Sequence, residues 1–233
     1  MEGFILAAGL GTRLHELTAM RPKALVEVDG VTLLERVLHR MEATGIAHVV
    51  VNVHHFAARV EDFVRAQDWR LQVDISDERE LLLDTGGALK HAASFFSGGE
   101  PVLVHNVDIL SDVDFREVER QHCAEGNLVT LCVSRRASNT GRLLRFSAEG
   151  LLTGRSAEGL AFSGIAVVSP ALFPLLPEAD APYPVIDEYV RLAHEGYRIG
   201  SYMHPGTEDH WLDVGTPEAL EKAQNLWKVS SDK

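Results

Sequence analysis

The apolar and polar positions of this chain follow two alternating patterns. Short continuous apolar runs, such as residues 4–8, are typical of strands that are buried on both faces. Between them lie segments whose apolar residues recur at helical spacing, as in residues 33–42. There, Thr32 and Glu35 form a predicted capping pair, and Gly45 is suited to end the helix. The strand-like runs are residues 4–8, 49–53, 71–75, 102–104 and 128–133.

Helix-like segments separate these runs and predict the fold class. Strands that alternate with helices indicate an α/β fold, with a Rossmann-like, mostly parallel central sheet flanked by helices. We expect one domain over residues 1–233, with halves at about 1–135 and about 136–233. A smaller antiparallel region is predicted in the second half. The helical segments are 33–42, 56–66, 88–96, 185–195 and 218–227, and the shorter antiparallel strands are 141–145, 150–153 and 160–168.

Composition and charge narrow the class of protein. The 233 residues include 45% hydrophobic and 24% charged positions, which is ordinary for a soluble globular protein. A net charge of −12 argues against a general nucleic-acid-binding protein, because such a protein has a basic face. Two cysteines are too few for a disulfide framework, and Cys132 is predicted to be a buried thiol. The first apolar run is too short for a signal peptide or a membrane span, so we expect a cytoplasmic protein without membrane association.

The loop after the first predicted strand carries the first candidate chemistry. Gly9 and Gly11 can bring backbone N–H groups close to a phosphate, because glycine has no Cβ. The spacing is neither that of a P-loop nor that of the dinucleotide fingerprint, which requires glycine where Leu14 stands. Two glycines alone fit an ordinary tight turn better than a ligand site. With the cations Arg13 and Lys23 nearby, however, the loop would suit a nucleoside triphosphate.

The segments LAAGLGTRL (residues 6–14) and RPKALVEV (residues 21–28) resemble the signature of the sugar-1-phosphate nucleotidyltransferases. The resemblance is greatest to short bacterial members such as the N-acetylmuramate-1-phosphate uridylyltransferases. It implies that the loop wraps a triphosphate, that Arg13 contacts its phosphates, and that Lys23 lies beside the reacting α-phosphate. The nucleotide-binding residues that it implies here are Leu6, Ala7, Ala8, Gly9, Gly11, Thr12, Arg13 and Lys23.

Two aspartates are the candidate metal ligands and complete the predicted catalytic set with Arg13 and Lys23. Asp108 follows the strand predicted at 102–104, and side chains at the carboxyl ends of parallel strands point into the ligand crevice. Asp213 precedes the last predicted helix, for which Thr216 is the better-placed cap. Taken alone, each aspartate also fits a turn or capping role. The resemblance implies that both hold Mg²⁺, which prefers carboxylate and other hard oxygen ligands.

The turn at residues 84–87 is the candidate site for the nucleobase. Thr85, Gly86 and Gly87 precede a predicted helical run, so their amides are expected to be free at a helix N-terminus. Without the resemblance, this is equally well a simple loop into a helix. The resemblance places the turn against the base.

Residues for the sugar are predicted mainly in the second half of the chain. Ser163 and Gly164 interrupt an apolar strand, which often marks close approach of a ligand to the backbone, and the resemblance places this turn at the sugar. The lysine of the family's Glu-Lys-Pro segment is missing, and Val107 stands where relatives often carry glycine. Among the nearby cations Arg142, Arg145 and Arg155, we favour Arg142. The predicted substrate-binding residues are Asn106, Asn139, Arg142, Ser163 and Gly164.

Eleven histidines show no His-x-x-x-His spacing, so core or surface roles are expected for them. His105, which is adjacent to Asn106, is the strongest exception.

The resemblance predicts transfer of a nucleoside monophosphate, with UTP favoured as the donor, to a sugar 1-phosphate. The acceptor phosphate is already an anion, so positioning and charge stabilisation would suffice without a general base. The expected partners are the two substrates, with Mg²⁺ as cofactor, in a monomer or homodimer that works with a separate sugar kinase. Three alternatives remain open. They are a cytidylyl- or guanylyltransferase acting on phosphocholine, mannose 1-phosphate or heptose 1-phosphate, a non-catalytic nucleotide-sensing subunit, and a glycosyltransferase that uses Asp112 and Asp114.

Overall fold

The computed structural model of the protein describes residues 1–14, 16–135, 143–204 and 210–228. The strands are β1 (Glu2–Leu6), β2 (Glu27–Val28), β3 (Val31–Thr32), β4 (His48–Val53), β5 (Gln72–Asp77), β6 (Val102–Asn106), β7 (Ile109–Ser111), β8 (Val129–Ser134), β9 (Leu143–Phe146), β10 (Leu152–Ser156), β11 (Leu160–Val168), β12 (Ile199–Met203) and β13 (Trp211–Asp213). The helices are α1 (Glu16–Ala19), α2 (Leu33–Thr44), α3 (Ala57–Arg65), α4 (Asp84–His91), α5 (Phe115–Glu125), α6 (Val185–His194) and α7 (Pro217–Leu226).

A mixed sheet of nine strands, counted within the described ranges, forms the centre of the protein. Strands β6, β1, β4 and β5 are neighbours and run parallel. Strand β11 joins this part antiparallel to β6 and leads to β9 and β10 on one branch and to β8 and β12 on the other. The predicted α/β class, with a parallel centre and an antiparallel region beside it, is confirmed.

Strand β1 shows why the sheet needs cover on both faces. Phe4 and Ile5 are both fully buried and belong to separate cores on opposite sides of the sheet, because successive side chains of a strand point to opposite faces. Residues of α2, α3 and α5 contribute to one core, and residues of α4 and α6 to the other. Complete burial of one such side chain stabilises the fold by about 1.5–3 kcal/mol. The continuous apolar run at residues 4–8 therefore reflects burial on two sides.

The predicted ends of α2 are confirmed. The Thr32 hydroxyl accepts a hydrogen bond from the Glu35 N–H at 3.1 Å, and Gly45 ends the helix in the left-handed region with φ of 88°. The last helix also begins as predicted, because the Ala219 N–H donates to the Thr216 hydroxyl at 3.2 Å. Thr216 is therefore the cap of α7, which leaves Asp213 available for another role.

Two features of the chain escaped prediction. Helix α5 buries a stripe that includes Phe115, Val118 and His122, and the polar histidine breaks the apolar pattern. The short strands β7 and β13 pair antiparallel, although they lie far apart in sequence. Such pairing depends on long-range contacts, and three residues are too few to show a strand pattern in the sequence. No helix in the described part of the chain is long and apolar enough to cross a membrane.

Candidate active site

A cavity of about 490 Å³ lies at the carboxyl ends of the parallel strands, and we call it the first cavity. This is where open α/β sheets bind their ligands. Several predicted residues line it, including Gly9, Lys23, Thr85 and Asp108. The complete lining within the described residues is Leu6, Ala8, Gly9, Lys23, Asn52, Glu78, Leu82, Asp84, Thr85, Asn106, Val107, Asp108 and Pro182.

The loop after β1 is held by a buried side chain that is not among the predicted site residues. The Oδ1 atom of Asn52, in β4, accepts the N–H groups of Ala7 at 2.6 Å and Ala8 at 3.1 Å. Its Nδ2 atom donates to the Glu78 carboxylate at 2.7 Å, and that carboxylate also accepts the Leu83 N–H at 3.1 Å. Burial raises the pKa of Glu78, while the two hydrogen bonds oppose this shift. The loop thus takes its shape from a neighbouring strand.

Gly11 closes the same loop for a steric reason. It has a φ of +65°, and a Cβ there would lie 2.9 Å from Thr18 Cγ2 and 3.1 Å from Lys23 Cβ. The Thr18 hydroxyl donates to the Gly11 carbonyl at 2.9 Å. Gly9, by contrast, has open space around it. The two predicted glycines therefore have different roles: Gly11 permits the turn, and Gly9 lines the first cavity.

Lys23 and Asp108 form an ion pair that is nearly buried, with the Lys23 Nζ donating to the Asp108 Oδ2. Lys23 begins a 3₁₀ turn over Lys23–Leu25, directly after Pro22 in an extended conformation. Burial opposes ionisation of Asp108, but the ammonium of Lys23 outweighs it and lowers the pKa of that carboxyl. The first cavity therefore contains a fixed carboxylate with a cation beside it.

Strand pairing brings Asp213 to the same place. In the β7–β13 pair, Asp213 lies opposite Ile109, and the Val214 N–H donates to the Asp108 carbonyl at 2.8 Å. Burial and then the charge of Asp108 raise the pKa of Asp213. Its Oδ1 atom is buried without a hydrogen-bond partner among the described residues. Two carboxylates from distant parts of the chain thus meet, and one of their oxygens is unsatisfied.

Arg13 completes this group, with its Nη2 atom 3.5 Å from the Asp213 Oδ2. Gly215 permits the approach, because a Cβ there would lie 2.5 Å from the Arg13 Nη2 and 2.6 Å from the Asp213 Oδ1. Gly215 is a residue without a predicted role. A glycine two residues after a candidate ligand is a weak signal, which only the folded arrangement explains.

A second cavity of about 310 Å³ adjoins the first, and the two share the lining residues Leu6, Asp84, Thr85 and Asn106. Arg155 of β10 lies on its wall and is paired with Asp187 of α6. The complete lining within the described residues is Leu6, Asp84, Thr85, Val104, Asn106, Leu144, Arg155, Phe162, Gly164, Ala166, Pro184, Val185, Ile186 and Tyr189. This cavity is predominantly apolar.

The residues predicted for the sugar are distributed unevenly. Gly164 lines the second cavity and has a φ of +75°, and a Cβ there would lie 3.0 Å from the Asn106 Nδ2. Ser163 is fully buried outside both cavities, and its carbonyl accepts the Trp211 indole N–H at 2.9 Å. Asn139 and Arg142 lie outside the described residues. Asn106, which both cavities share, is therefore the best placed of this group.

The turn at residues 84–87 differs from the expectation. Helix α4 begins at Asp84, and the Gly86 N–H donates to the Tyr183 carbonyl at 2.9 Å, so this amide is not free. The Thr85 N–H donates to the Asp84 carboxylate at 2.6 Å. A Cβ on Gly86 would lie 2.3 Å from the Tyr183 ring, and one on Gly87 would lie 3.0 Å from the Leu83 Cβ. The two glycines admit close packing, and Thr85 alone of the predicted three lines the cavities.

Neither His105 nor the aspartate pair Asp112 and Asp114 indicates a second catalytic or metal site. His105 is fully buried, and burial lowers its pKa to about 3, so the ring is a neutral core group. Asp114 caps α5 by accepting the Arg116 N–H at 2.9 Å, while Asp112 pairs with His204 and His210. The Asp-x-Asp string therefore serves local structure. Among the described residues, no group of three or more His, Cys, Asp or Glu side chains is arranged so that it could hold a metal ion.

Comparison with known proteins gives a consistent result. A family model described as nucleotidyl transferase matches residues 2–141. An N-acetylmuramate alpha-1-phosphate uridylyltransferase of Caulobacter vibrioides is 34% identical, and the match covers 94% of each chain. The catalytic subunit beta of a mannose-1-phosphate guanylyltransferase of Danio rerio is 29% identical over 94% of this chain and 62% of its own length.

Solved structures support the fold. A putative glucose-1-phosphate thymidylyltransferase from Bacillus anthracis superposes with a TM-score of 0.84, covering 100% of this chain and 98% of that one, at 17% identity. At this identity the likeness concerns the architecture only.

Proposed function

The chain belongs to the nucleotidyl transferase family and is a sugar-1-phosphate nucleotidyltransferase, and we propose that it transfers UMP from UTP to N-acetylmuramate 1-phosphate. One observation supports the position of the reaction most directly. Lys23 and Asp108 line the first cavity, which adjoins a second, mostly apolar cavity. Asp213 lies next to Asp108, because the Val214 N–H donates to the Asp108 carbonyl, and Arg13 pairs with Asp213. A triphosphate in the first cavity and a sugar in the second would place the reacting phosphates near Lys23.

The residues act by binding and orientation. An oxygen of the acceptor phosphate attacks the α-phosphorus, the new P–O bond forms, and the bond to the pyrophosphate oxygen breaks in line. Lys23 has three N–H groups, so it can bind Asp108 and still donate to an α-phosphate oxygen. Arg13 would bind the departing pyrophosphate, and the backbone at Ala8 and Gly9 would approach the phosphates. The rate effect of such donors arises where charge develops in the transition state.

Enzymes of this family generally use a divalent metal, and we propose Mg²⁺ held by Asp108 and Asp213. The donor set fits, because both ligands are hard carboxylate oxygens. The unpartnered Asp213 Oδ1 and the mutual repulsion of the two carboxylates would both be relieved by a cation. When bound, the ion would neutralise charge on the phosphates. A separate kinase would supply the sugar 1-phosphate, and the oligomeric state, monomer or homodimer, stays a prediction.

Detection of pyrophosphate across four nucleoside triphosphates and several sugar 1-phosphates tests this proposal. The set includes N-acetylmuramate, N-acetylglucosamine, mannose, glucose and heptose 1-phosphates, with and without Mg²⁺. We expect the highest kcat/KM with UTP and N-acetylmuramate 1-phosphate, and no turnover without a divalent ion. Equal or greater activity with another donor or acceptor would contradict the proposed substrates.

A guanylyltransferase is the second candidate, because the Danio rerio relative matches 94% of this chain. Preference for GTP with mannose 1-phosphate in the same assay would support it. Binding of nucleotides without any pyrophosphate release would instead indicate a nucleotide-sensing protein.

A further inference from the structure

The second cavity has a basic residue on its wall that does not line the first cavity, where the reaction is proposed. Its walls are mostly apolar, with Leu144, Phe162 and Ile186 among them. Arg155 is the one basic residue among the described residues that line it. The one acidic lining residue, Asp84, lies on the wall shared with the first cavity and accepts the Thr85 N–H. Away from the wall that it shares with the first cavity, a ligand in this cavity therefore meets mostly apolar surface and a single cation.

The Arg155 guanidinium is anchored but not saturated. Its Nε atom, at 3.2 Å, and its Nη2 atom both donate to the same Asp187 oxygen, Oδ1. Its Nη1 atom has no hydrogen-bond partner within the described ranges. A guanidinium has five N–H groups in a planar fork that matches a carboxylate. Asp187 thus orients the fork, while donors remain for a second anion.

We propose that Arg155 binds the carboxylate of an acidic acceptor sugar and thereby selects a carboxylate-bearing sugar 1-phosphate. This inference rests on the proposed function. The acceptor's phosphate must lie near Lys23 and Asp108 in the first cavity, so its second anion is free to reach the second. N-acetylmuramate differs from N-acetylglucosamine by a lactyl ether, which adds a methyl group and a carboxylate. The apolar wall at Phe162 and Ile186 suits that methyl group, and Arg155 suits the carboxylate.

Two acceptors that differ only in this ether can distinguish recognition of the carboxylate from recognition of the phosphate. Steady-state kinetics with UTP would compare N-acetylmuramate 1-phosphate with N-acetylglucosamine 1-phosphate for the wild type, Arg155→Gln and Arg145→Gln. Arg145 is a matched control, because it lies on the adjacent β9, donates to the Thr153 hydroxyl at 3.3 Å and lines neither cavity. Circular dichroism and thermal unfolding would confirm that each variant is folded.

We expect Arg155→Gln to lower kcat/KM for N-acetylmuramate 1-phosphate by about tenfold to a hundredfold, mainly through KM, as for a lost charge-assisted hydrogen bond. Activity with N-acetylglucosamine 1-phosphate should change by less than about threefold, because that sugar has no group for Arg155 to bind. Arg155→Lys should restore part of the preference, and Arg145→Gln should behave as the wild type on both acceptors.

An equal loss on both acceptors would overturn the inference, since it would place Arg155 at the phosphate or in the framework of the cavity. An unchanged preference in Arg155→Gln would overturn it as well. These results differ from failure of the proposed function, which would appear in the wild type as no turnover of N-acetylmuramate 1-phosphate with UTP. In that case, both the proposed function and the inference resting on it would be wrong.

Discussion

Two ion pairs, one at each cavity, differ in how far they are exposed to water. In Lys23–Asp108 the side chains are 9% and 16% exposed, whereas in Arg155–Asp187 they are 37% and 57% exposed. Water screens the second pair, so its contribution to stability is small. The first pair is largely desolvated, so loss of either partner leaves an uncompensated charge. The charges of Lys23 and Asp108 in the first cavity are therefore fixed by each other, while Arg155 in the second cavity remains accessible to an anionic ligand.

The same contrast extends to the surrounding structure. The first cavity is tied by Asn52 to the loop after β1 and by the β7–β13 pair to Asp213, so chemistry and fold depend on the same contacts. The lining of the second cavity is mostly apolar, and β11 and α6 contribute several of its residues. Substitutions in the first cavity should therefore affect every substrate, whereas substitutions in the second should affect the choice of acceptor.

The largest expected effect is that of Lys23→Ala. We expect kcat to fall by about a thousandfold, because a donor aimed at the reacting phosphate is lost. We also expect the free energy of unfolding to fall by about 3–5 kcal/mol, because Asp108 is left buried without its cation. Single-turnover kinetics and urea unfolding measure the two effects.

Two further variants separate catalysis from stability at this pair. Lys90→Ala is the matched control, because this lysine lies on α4 and its Nζ donates to the Phe173 carbonyl at 3.2 Å, outside both cavities. The double variant Lys23→Met with Asp108→Asn should recover most of the stability but none of the turnover. Near-normal turnover in Lys23→Ala would be incompatible with the assigned role.

The next effect is that of Asn52→Ala, which removes the acceptor for the Ala7 and Ala8 N–H groups. We expect kcat/KM for the nucleotide to fall by about tenfold to a hundredfold, since the loop loses its anchor. The exposed Asn225, which donates to the Glu221 carbonyl at 3.1 Å on α7, provides the control variant Asn225→Ala. Comparable kinetics in the two variants would show that Asn52 does not position the loop.

Acid should destabilise the fold through buried histidines. His122 donates or accepts at Thr130 and Ser169, and burial lowers its pKa from 6.5 to about 4. Between these values the unfolded chain binds more protons, so the free energy of unfolding falls as pH falls from 6.5 towards 4. For His122 alone we expect a loss of about 2 kcal/mol at pH 5.

Urea unfolding of His122→Gln across this pH range tests that prediction. The slope of unfolding free energy against pH should become flatter than in the wild type. His39→Gln is the matched control, because it makes the same substitution at an exposed position on α2. A steep wild-type slope that survives in His122→Gln would assign the acid sensitivity to other groups.

The smallest effect should come from the exposed pair. Arg155→Gln and Asp187→Asn should each change the free energy of unfolding by less than about 1 kcal/mol, because the pair is screened by water. Thermal unfolding at two salt concentrations measures this. A loss as large as that of Lys23→Ala would show that both pairs are structural and would remove the contrast between the cavities.

The sequence predicts the strands and helices well, because each of them has a local pattern of apolar and polar residues. Continuous apolar runs locate the buried strands, and the Thr32 and Gly45 signals give the ends of α2. The start of α4 was missed because Gly86 and Gly87 are poor helix formers, and only the Tyr183 segment packed against them explains their place. Local pattern thus fails where a distant segment decides the conformation.

In the candidate site, too, residues in local motifs could be predicted, whereas residues that depend on distant contacts could not. Gly9, Lys23 and Asp108 stand in short segments whose resemblance to a known family predicts their roles, and all three line the first cavity. Asn52 looks like a single polar interruption of an apolar strand, and its role depends on a loop from another part of the chain. The sequence likewise gives no signal for Gly215, because the side chain packed against it, Arg13, belongs to the loop after β1.

The most direct test of the central claim is to follow the reaction products by ³¹P NMR. Wild-type protein, UTP, N-acetylmuramate 1-phosphate and Mg²⁺ should yield a UDP-sugar and pyrophosphate in equal amounts, and Lys23→Ala should yield neither at a comparable rate. Release of inorganic phosphate instead of pyrophosphate, or UTP consumption that does not depend on the sugar phosphate, would contradict the account.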